Sequence, residues 1–205
     1  MATLDDSELE RVTDAVRRAE AATSGEIVVL VDRAAGSYRS LSLVVAWLIA
    51  LAAPWPLLWL TSLPAQALLL AQLVVALALL LALSLRGGWR LALVPRFVKR
   101  NRAHEVASRE FLARGLTRTK GRTGVLIYVA LAERYAEVMA DIGVADKVAD
   151  DVWRAIVGDL IAATAENRLA DGLVAAIEAI GDILAGVAPA VDSEDELPNK
   201  VVIIG

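Results

Sequence analysis

SLSLVVAWLIALAAPWPLLWLTSLPAQALLLAQLVVALALLLALSL, residues 40 to 85, carries no charged side chain over 46 positions. Arg39 precedes it and Arg86 follows it. One helix needs about 20 apolar residues to cross a bilayer core of roughly 30 Å, so the stretch is long enough for two crossings. Residues 41–60 make one span and residues 64–85 a second. Thr61-Ser62-Leu63-Pro64 is the polar, proline-ended turn between them. Pro54-Trp55-Pro56 reads as a kink in the outer half of the first span, which membrane helices tolerate. Trp55 and Trp59 then lie near the outer interface and Trp89 near the inner one, where amphipathic rings prefer to sit. A signal peptide is not expected, because the run starts late and acidic residues precede it.

Placement of lysine and arginine sets the expected orientation. The turn between the spans has none. Arg11, Arg17, Arg18, Arg33 and Arg39 come before the first span, and Arg86, Arg90, Arg96, Lys99, Arg100 and Arg102 follow the second. Both termini are therefore expected on the cytoplasmic side of the cell (inner) membrane, in a multi-pass arrangement. The chain has no cysteine, which fits that compartment and removes thiol chemistry.

Outside the uncharged run, 159 residues remain, enough for one domain with its own core. Asp5 and Glu8 have capping-box spacing. Leu9, Val12, Val16 and Ala19 then repeat at helical intervals, so residues 6–22 are expected to be an amphipathic helix. Residues 26–32, EIVVLVD, read as a strand. After the uncharged run, residues 96–114 read as a helix ended by Gly115, and residues 117–123 as a basic loop. Residues 125–131, VLIYVAL, suit a strand buried on both faces. Glu133-Arg134 turns the chain into a third strand over 135–140. Two amphipathic helices follow, one marked by Val148, Val152, Ile156 and Leu160, the other by Leu173, Ile177, Ile180 and Leu184. Residues 201–204 suit a short edge strand.

This alternation argues an α/β/α sandwich interrupted by a two-helix transmembrane hairpin. The expected organisation is residues 1–40 as the first part of the domain, 41–85 as the hairpin, 86–190 as a basic neck with the remainder of the domain, and 191–205 as an acidic tail. Between Arg86 and Arg122 stand 11 basic and 2 acidic residues, and from Thr123 onward 5 basic and 15 acidic. Arg86, Arg90, Arg96, Lys99 and Arg100 are thus placed to meet anionic lipid headgroups, at roughly 1 kcal/mol per basic residue near the surface. Nucleic-acid binding is not expected, since the neck lacks interleaved aromatics.

Candidate chemistry is sparse. Gly115 and Gly121 with Arg122 fail the phosphate-loop pattern in spacing, residue and context. The single histidine, His104, excludes a multi-imidazole zinc site and reads as a surface residue. Asp141, Asp146, Asp150 and Asp151 crowd the segment after the third strand, and hard cations such as Ca²⁺ or Mg²⁺ take several carboxylate oxygens. Asp146 and Asp150 are expected to share a helix face. Strand directions put Asp32, Glu133 and Arg134 on the membrane-facing edge of the sheet and Asp141 on the far edge. Gln72 lies near the middle of the second span and can hydrogen-bond across helices. No charge lies in either span, which argues against ion or proton transport.

Residues 123–144, TGVLIYVALAERYAEVMADIGV, resemble the core of the TPM domain family, the domains of thylakoid photosystem-repair proteins and many bacterial membrane proteins. The Ser24-Gly25-Glu26-Ile27-Val28-Val29 opening and the helix of Trp153 fit the same family. The resemblance implies a TPM-like α/β/α domain. It also implies a choice of activities, since members include acid phosphatases, metal binders, repair factors and modulators of membrane receptors. Asp141, which closes the family-like block, is the metal ligand the resemblance favours. The chain departs from better-known members in its internal hairpin and in an expected cytoplasmic domain, so lumenal roles transfer poorly. Together these readings point to a non-catalytic module that binds or assembles another membrane protein, with a metal-assisted phosphatase acting on cytoplasmic phosphoesters as the alternative.

Overall fold

The computed structural model describes residues 4–62, 64–85, 91–190 and 201–204. The chain divides into two compact units, residues 1–35 together with 101–205, and residues 36–100. Arg86, Arg90, Trp89, Leu63 and the acidic stretch 191–200 lie outside the described residues.

The first unit is a mixed α/β fold. Helix α1 (Asp6–Glu20) leads into strand β1 (Glu26–Asp32). The Asp5 carboxylate accepts the Glu8 N–H at 2.7 Å, and the Glu8 carboxylate accepts the Asp5 N–H at 3.0 Å. That reciprocal pair satisfies two backbone donors at the helix start. It also holds the Asp5 carboxyl below its ordinary range, chiefly through the Glu8 N–H.

In the second unit, α2 (Arg39–Ala52) and α3 (Pro54–Leu60) are separated at Ala53, and α4 (Ala65–Leu85) follows. The break falls where Pro54 offers no N–H and crowds the preceding turn. Ala46 and Ala50 are 4 % and 5 % exposed; small residues one turn apart let two helices approach closely. The large apolar side chains of this unit are mostly uncovered, with Trp47 64 %, Leu69 67 % and Trp59 87 % exposed. Two stretches of 21 residues, Ser40–Leu60 and Ala65–Leu85, are long and apolar enough to cross a membrane.

Helix α5 (Arg96–Ala113) carries the chain back. It stops because Gly115 takes φ +75°, a left-handed conformation that costs a glycine nothing and ends helices. A 3₁₀ turn at Leu116–Arg118 opens the basic loop. Strand β2 (Gly124–Ala130) and strand β3 (Tyr135–Ala140) come next, then a one-turn helix α6 (Ile142–Ala145). Helices α7 (Asp150–Ala165) and α8 (Leu169–Val187) and strand β4 (Val201–Ile204) complete the unit.

The sheet order is β3-β2-β1-β4. β1 and β2 run parallel, Glu26 opposite Gly124 through Asp32 opposite Ala130. β4 lies parallel to β1 on its other side, and β3 returns antiparallel to β2, with Ala130 opposite Tyr135 and Val125 opposite Ala140. Every residue of β1 and β2 is buried, as their unbroken apolar runs require when both faces are covered. Alternation divides them. Ile27, Val29, Val31, Val125, Ile127 and Val129 pack with α1, α7 and α8. Val28, Leu30, Leu126 and Tyr128 pack with Ala103, Ala107 and Phe111 of α5.

Candidate functional site

Parallel strands that end together leave backbone groups and side chains projecting from one edge, and in open α/β sheets that edge is the usual ligand position. Here it is the edge of Asp32 and Ala130. Asp32, 6 % exposed, accepts the Ala34 N–H at 3.1 Å and the Tyr128 hydroxyl at 3.3 Å. Its carbonyl accepts the Leu131 N–H at 3.0 Å, which fastens the strand end to the β2–β3 turn. Glu133, in that turn, accepts the Ala35 N–H at 3.1 Å. Asp32 and Glu133 therefore hold the segment where the chain leaves β1. Arg134 follows with φ +51° and is exposed. The structure places all three at one edge of the sheet.

Of the three, Arg134 also lines a cavity of about 220 Å³ at this end of the sheet, which Asp32 and Glu133 do not line. Leu131, Ala136 and Ile161 supply apolar wall, while Arg134, Thr164 and Asn167 contribute polar groups. The volume is below the roughly 300–1,000 Å³ of drug-sized pockets and suits one side chain or a short ligand. Asn167 has φ +59°, so two of the three non-glycine residues with positive φ among the described residues line this one cavity. Asn adopts this conformation readily after a helix end, whereas Arg134 takes it within the β2–β3 turn. A larger hollow of about 350 Å³ lies along α7 and α8. Two of its charged groups are already engaged, Asp171 with Arg11 at 2.7 Å and Arg168 with Glu166.

The far edge is built differently. Asp141, 5 % exposed, receives Arg122 Nε and a terminal guanidinium nitrogen, both at 3.0 Å. It also accepts the Ile142 N–H at 2.8 Å as the cap of α6. The Arg122 hydrogen bonds, with help from the Ile142 N–H, hold the Asp141 carboxyl below its usual range, and Asp141 in turn raises the Arg122 guanidinium. Asp146 ends α6, whereas Asp150 opens α7. The two are thus on separate helices rather than one face, because the Asp141 cap starts a turn too short to reach Asp150. Among the described residues no three histidine or acidic side chains gather in a way that could hold a metal ion. With Asp141 committed to Arg122, these residues do not fit a Ca²⁺ or Mg²⁺ centre, and no step through a metal follows from them.

His104 has a partner that spacing along the chain does not show. Its Nδ1 lies 2.9 and 3.1 Å from the two Glu137 oxygens, and the Tyr135 hydroxyl donates to the same carboxylate at 2.9 Å. The available signal was the alternation of β3, which puts Tyr135, Glu137 and Met139 on the face that α5 covers. The cluster ties α5 to the edge strand. Arg96, Lys99 and Arg100 occupy the first turns of α5, and Lys99 Nζ donates to the Leu91 carbonyl at 3.2 Å.

Residues 84–183 match a family model described as TPM domain. Among solved structures the chain is similar to the NMR structure of BA42 protein from the psychrophilic bacterium Bizionia argentinensis, with 24 % identity, a TM-score of 0.60, and coverage of 98 % of this chain and 96 % of that one. That likeness is one of fold. No curated protein matches the chain in sequence.

Proposed function

We propose that this chain, whose residues 84–183 match the TPM domain family, is an integral membrane protein whose TPM-like α/β/α domain binds or helps assemble another membrane protein. The cavity that Arg134 lines with Leu131, Ala136, Ile161, Thr164 and Asn167 supports the binding role. Its apolar wall and cationic rim suit an apolar side chain that ends beside an anionic or carbonyl group. A few desolvated anchors of that kind dominate protein association.

Anchoring rests on the second unit. Contiguous exposed apolar surface is rare on soluble monomers, and α2, α3 and α4 present it along two membrane-length stretches. Residues 1–35 and 101–205 belong to one compact unit, so both ends of the insertion start from the same body. Two crossings return the chain to the side it left, and the basic residues that flank the uncharged run favour the cytoplasmic side of the cell membrane. In this reading Arg96, Lys99 and Arg100, with Arg86 and Arg90, meet anionic headgroups.

Metal-assisted phosphoester hydrolysis is the second reading, and it rests on Asp141 closing the family-like block. The salt bridge to Arg122 weighs against it, since a cation would have to displace a guanidinium. One experiment separates the two. A photocrosslinking amino acid replaces Thr164 at the cavity in the full-length protein, and native membranes are irradiated. The binding role predicts a discrete adduct with a membrane protein, lost when Ala136→Trp fills the cavity. No adduct, together with Mg²⁺- or Ca²⁺-dependent phosphoester turnover abolished by Asp141→Asn, would overturn it in favour of the enzyme.

A further inference from the structure

Strand β3 is an edge of the sheet, and the fold leaves alternate backbone groups along it without a ladder partner. The Asp141 N–H donates to the Gly124 carbonyl at 2.9 Å, and the β2–β3 register runs unbroken from Val125 opposite Ala140 to Ala130 opposite Tyr135. In an antiparallel pair, residues that bond across alternate with residues that do not. Tyr135, Glu137 and Met139 are in phase with Asp141 and bond to β2. Ala136, Val138 and Ala140 therefore turn their N–H and C=O groups the other way. Among the described residues no strand lies on that side. Such an edge is a template for another chain unless something blocks it. The opposite edge, β4, is only four residues long, and brevity is one such block. β3 is longer, reads YAEVMA and has no proline, lysine or bulge. Its one charge, Glu137, is held by His104 and Tyr135.

This edge begins at a cavity. Tyr135 and Ala136, the first residues of β3, line the 220 Å³ cavity together with Arg134. The exposed Arg134 guanidinium makes no ion pair among the described residues. We infer that the β3 edge and this cavity form one site for an extended segment of a partner protein. The segment adds to the four-stranded sheet beside β3, places an apolar side chain in the cavity and sets an aspartate or glutamate beside Arg134. The inference deepens the binding role proposed above and rests on it. The open N–H and C=O groups select an extended chain, because a helix already bonds its own backbone internally. In strand addition the main chain supplies affinity and a pocket supplies specificity. Here the pocket wall is apolar and the free cation beside it favours a carboxylate, with which a guanidinium makes strong hydrogen bonds. An anion without a peptide backbone meets Arg134 alone and leaves Ala136, Val138 and Ala140 open.

The test uses the full-length protein in detergent micelles, and the probes are octapeptides selected on it from a randomised library. The selected sequences are expected to carry an aspartate or glutamate. Bound peptide should slow hydrogen exchange at the Ala136, Val138 and Ala140 amides about ten-fold, and leave Glu137 and Met139, already bonded to β2, unchanged. Val138→Pro removes one outward donor and no β2–β3 hydrogen bond, the position at which an edge strand tolerates proline. It should weaken the peptide about ten-fold, and Arg134→Glu should turn the selected charge from acidic to basic. Peptides that bind without slowing those three amides, a library that yields no binder, or equal affinity in Val138→Pro would overturn the proposal. The exchange readout uses the wild-type protein, so it decides the matter even where the proline variant does not fold. The photoadduct from position 164 separates this site from the broader reading. An adduct retained in full by Val138→Pro overturns strand addition alone, whereas no adduct in the protein without that substitution overturns the binding role with it.

Discussion

Asp141 shows how one side chain can invite two opposite readings. From the sequence it is the first of a run of aspartates and a natural metal ligand. In the structure its oxygens accept three hydrogen bonds, two from Arg122 and one from Ile142. The acidic run was legible, but its geometry was not, because nothing in the spacing of Arg122 and Asp141 reveals that β2 and β3 bring residues 19 apart into contact. The same holds for His104 and Glu137, which are 33 apart. A pH dependence follows from the Asp141 pair. Its folded-state carboxyl titrates below the ordinary value of about 3.9, so the stabilisation is complete above that value and is lost as pH falls through the lower, folded-state one. Between about pH 5 and pH 2 the wild-type urea midpoint should therefore fall more steeply than that of Asp141→Asn. At neutral pH the variant should be weaker by about 1 kcal/mol, a modest cost because the guanidinium is open to screening water. Parallel acid limbs in the two proteins would show that the pair contributes nothing.

Among the elements, those with a long apolar pattern were the most legible. The buried runs of β1 and β2, the alternation of α1 and the Gly115 stop all appear in the sequence as they do in the fold. Helix α6 was not legible, since four residues carry no period. Its position depends on close approach instead. A Cβ on Gly143 would lie 2.4 Å from the Gly121 carbonyl oxygen and 2.6 Å from that of Arg122, while the Gly143 N–H donates to the Arg122 carbonyl at 3.0 Å. Backbone cannot yield as a flexible side chain can, so Gly143→Ala should destabilise the domain by about 1–3 kcal/mol and loosen the basic loop, read as faster hydrogen exchange at residues 119–123. Unchanged exchange and stability would mean that α6 is free to shift. The cavity was equally illegible, because it forms only where the β2–β3 turn meets the end of α7 and the α7–α8 connection, more than 25 residues apart in the chain.

For the whole molecule, the decisive fact is that a 46-residue uncharged run interrupts the chain between two neighbouring strands without preventing their pairing. β1 and β2 are separated by 91 residues, yet they pair in parallel along their full length. A parallel pair always needs a crossover, and here the connection contains a separate apolar unit as well as α5. The sequence made this organisation readable because charge is excluded so sharply from residues 40–85. It left the cavity, the Arg122–Asp141 lock and the His104–Glu137 tie hidden, since each depends on tertiary contact. In the topology proposed above, the inserted unit spans a membrane twice and leaves the whole α/β domain on one side. This topology is tested most directly by single cysteines at Glu10, Ser62 and Asp182, labelled with an impermeant maleimide in intact cells and in inverted membrane vesicles. Two crossings predict labelling of position 62 from outside only and of positions 10 and 182 from the cytoplasmic face only. Labelling of position 62 from the same face as positions 10 and 182 would contradict it.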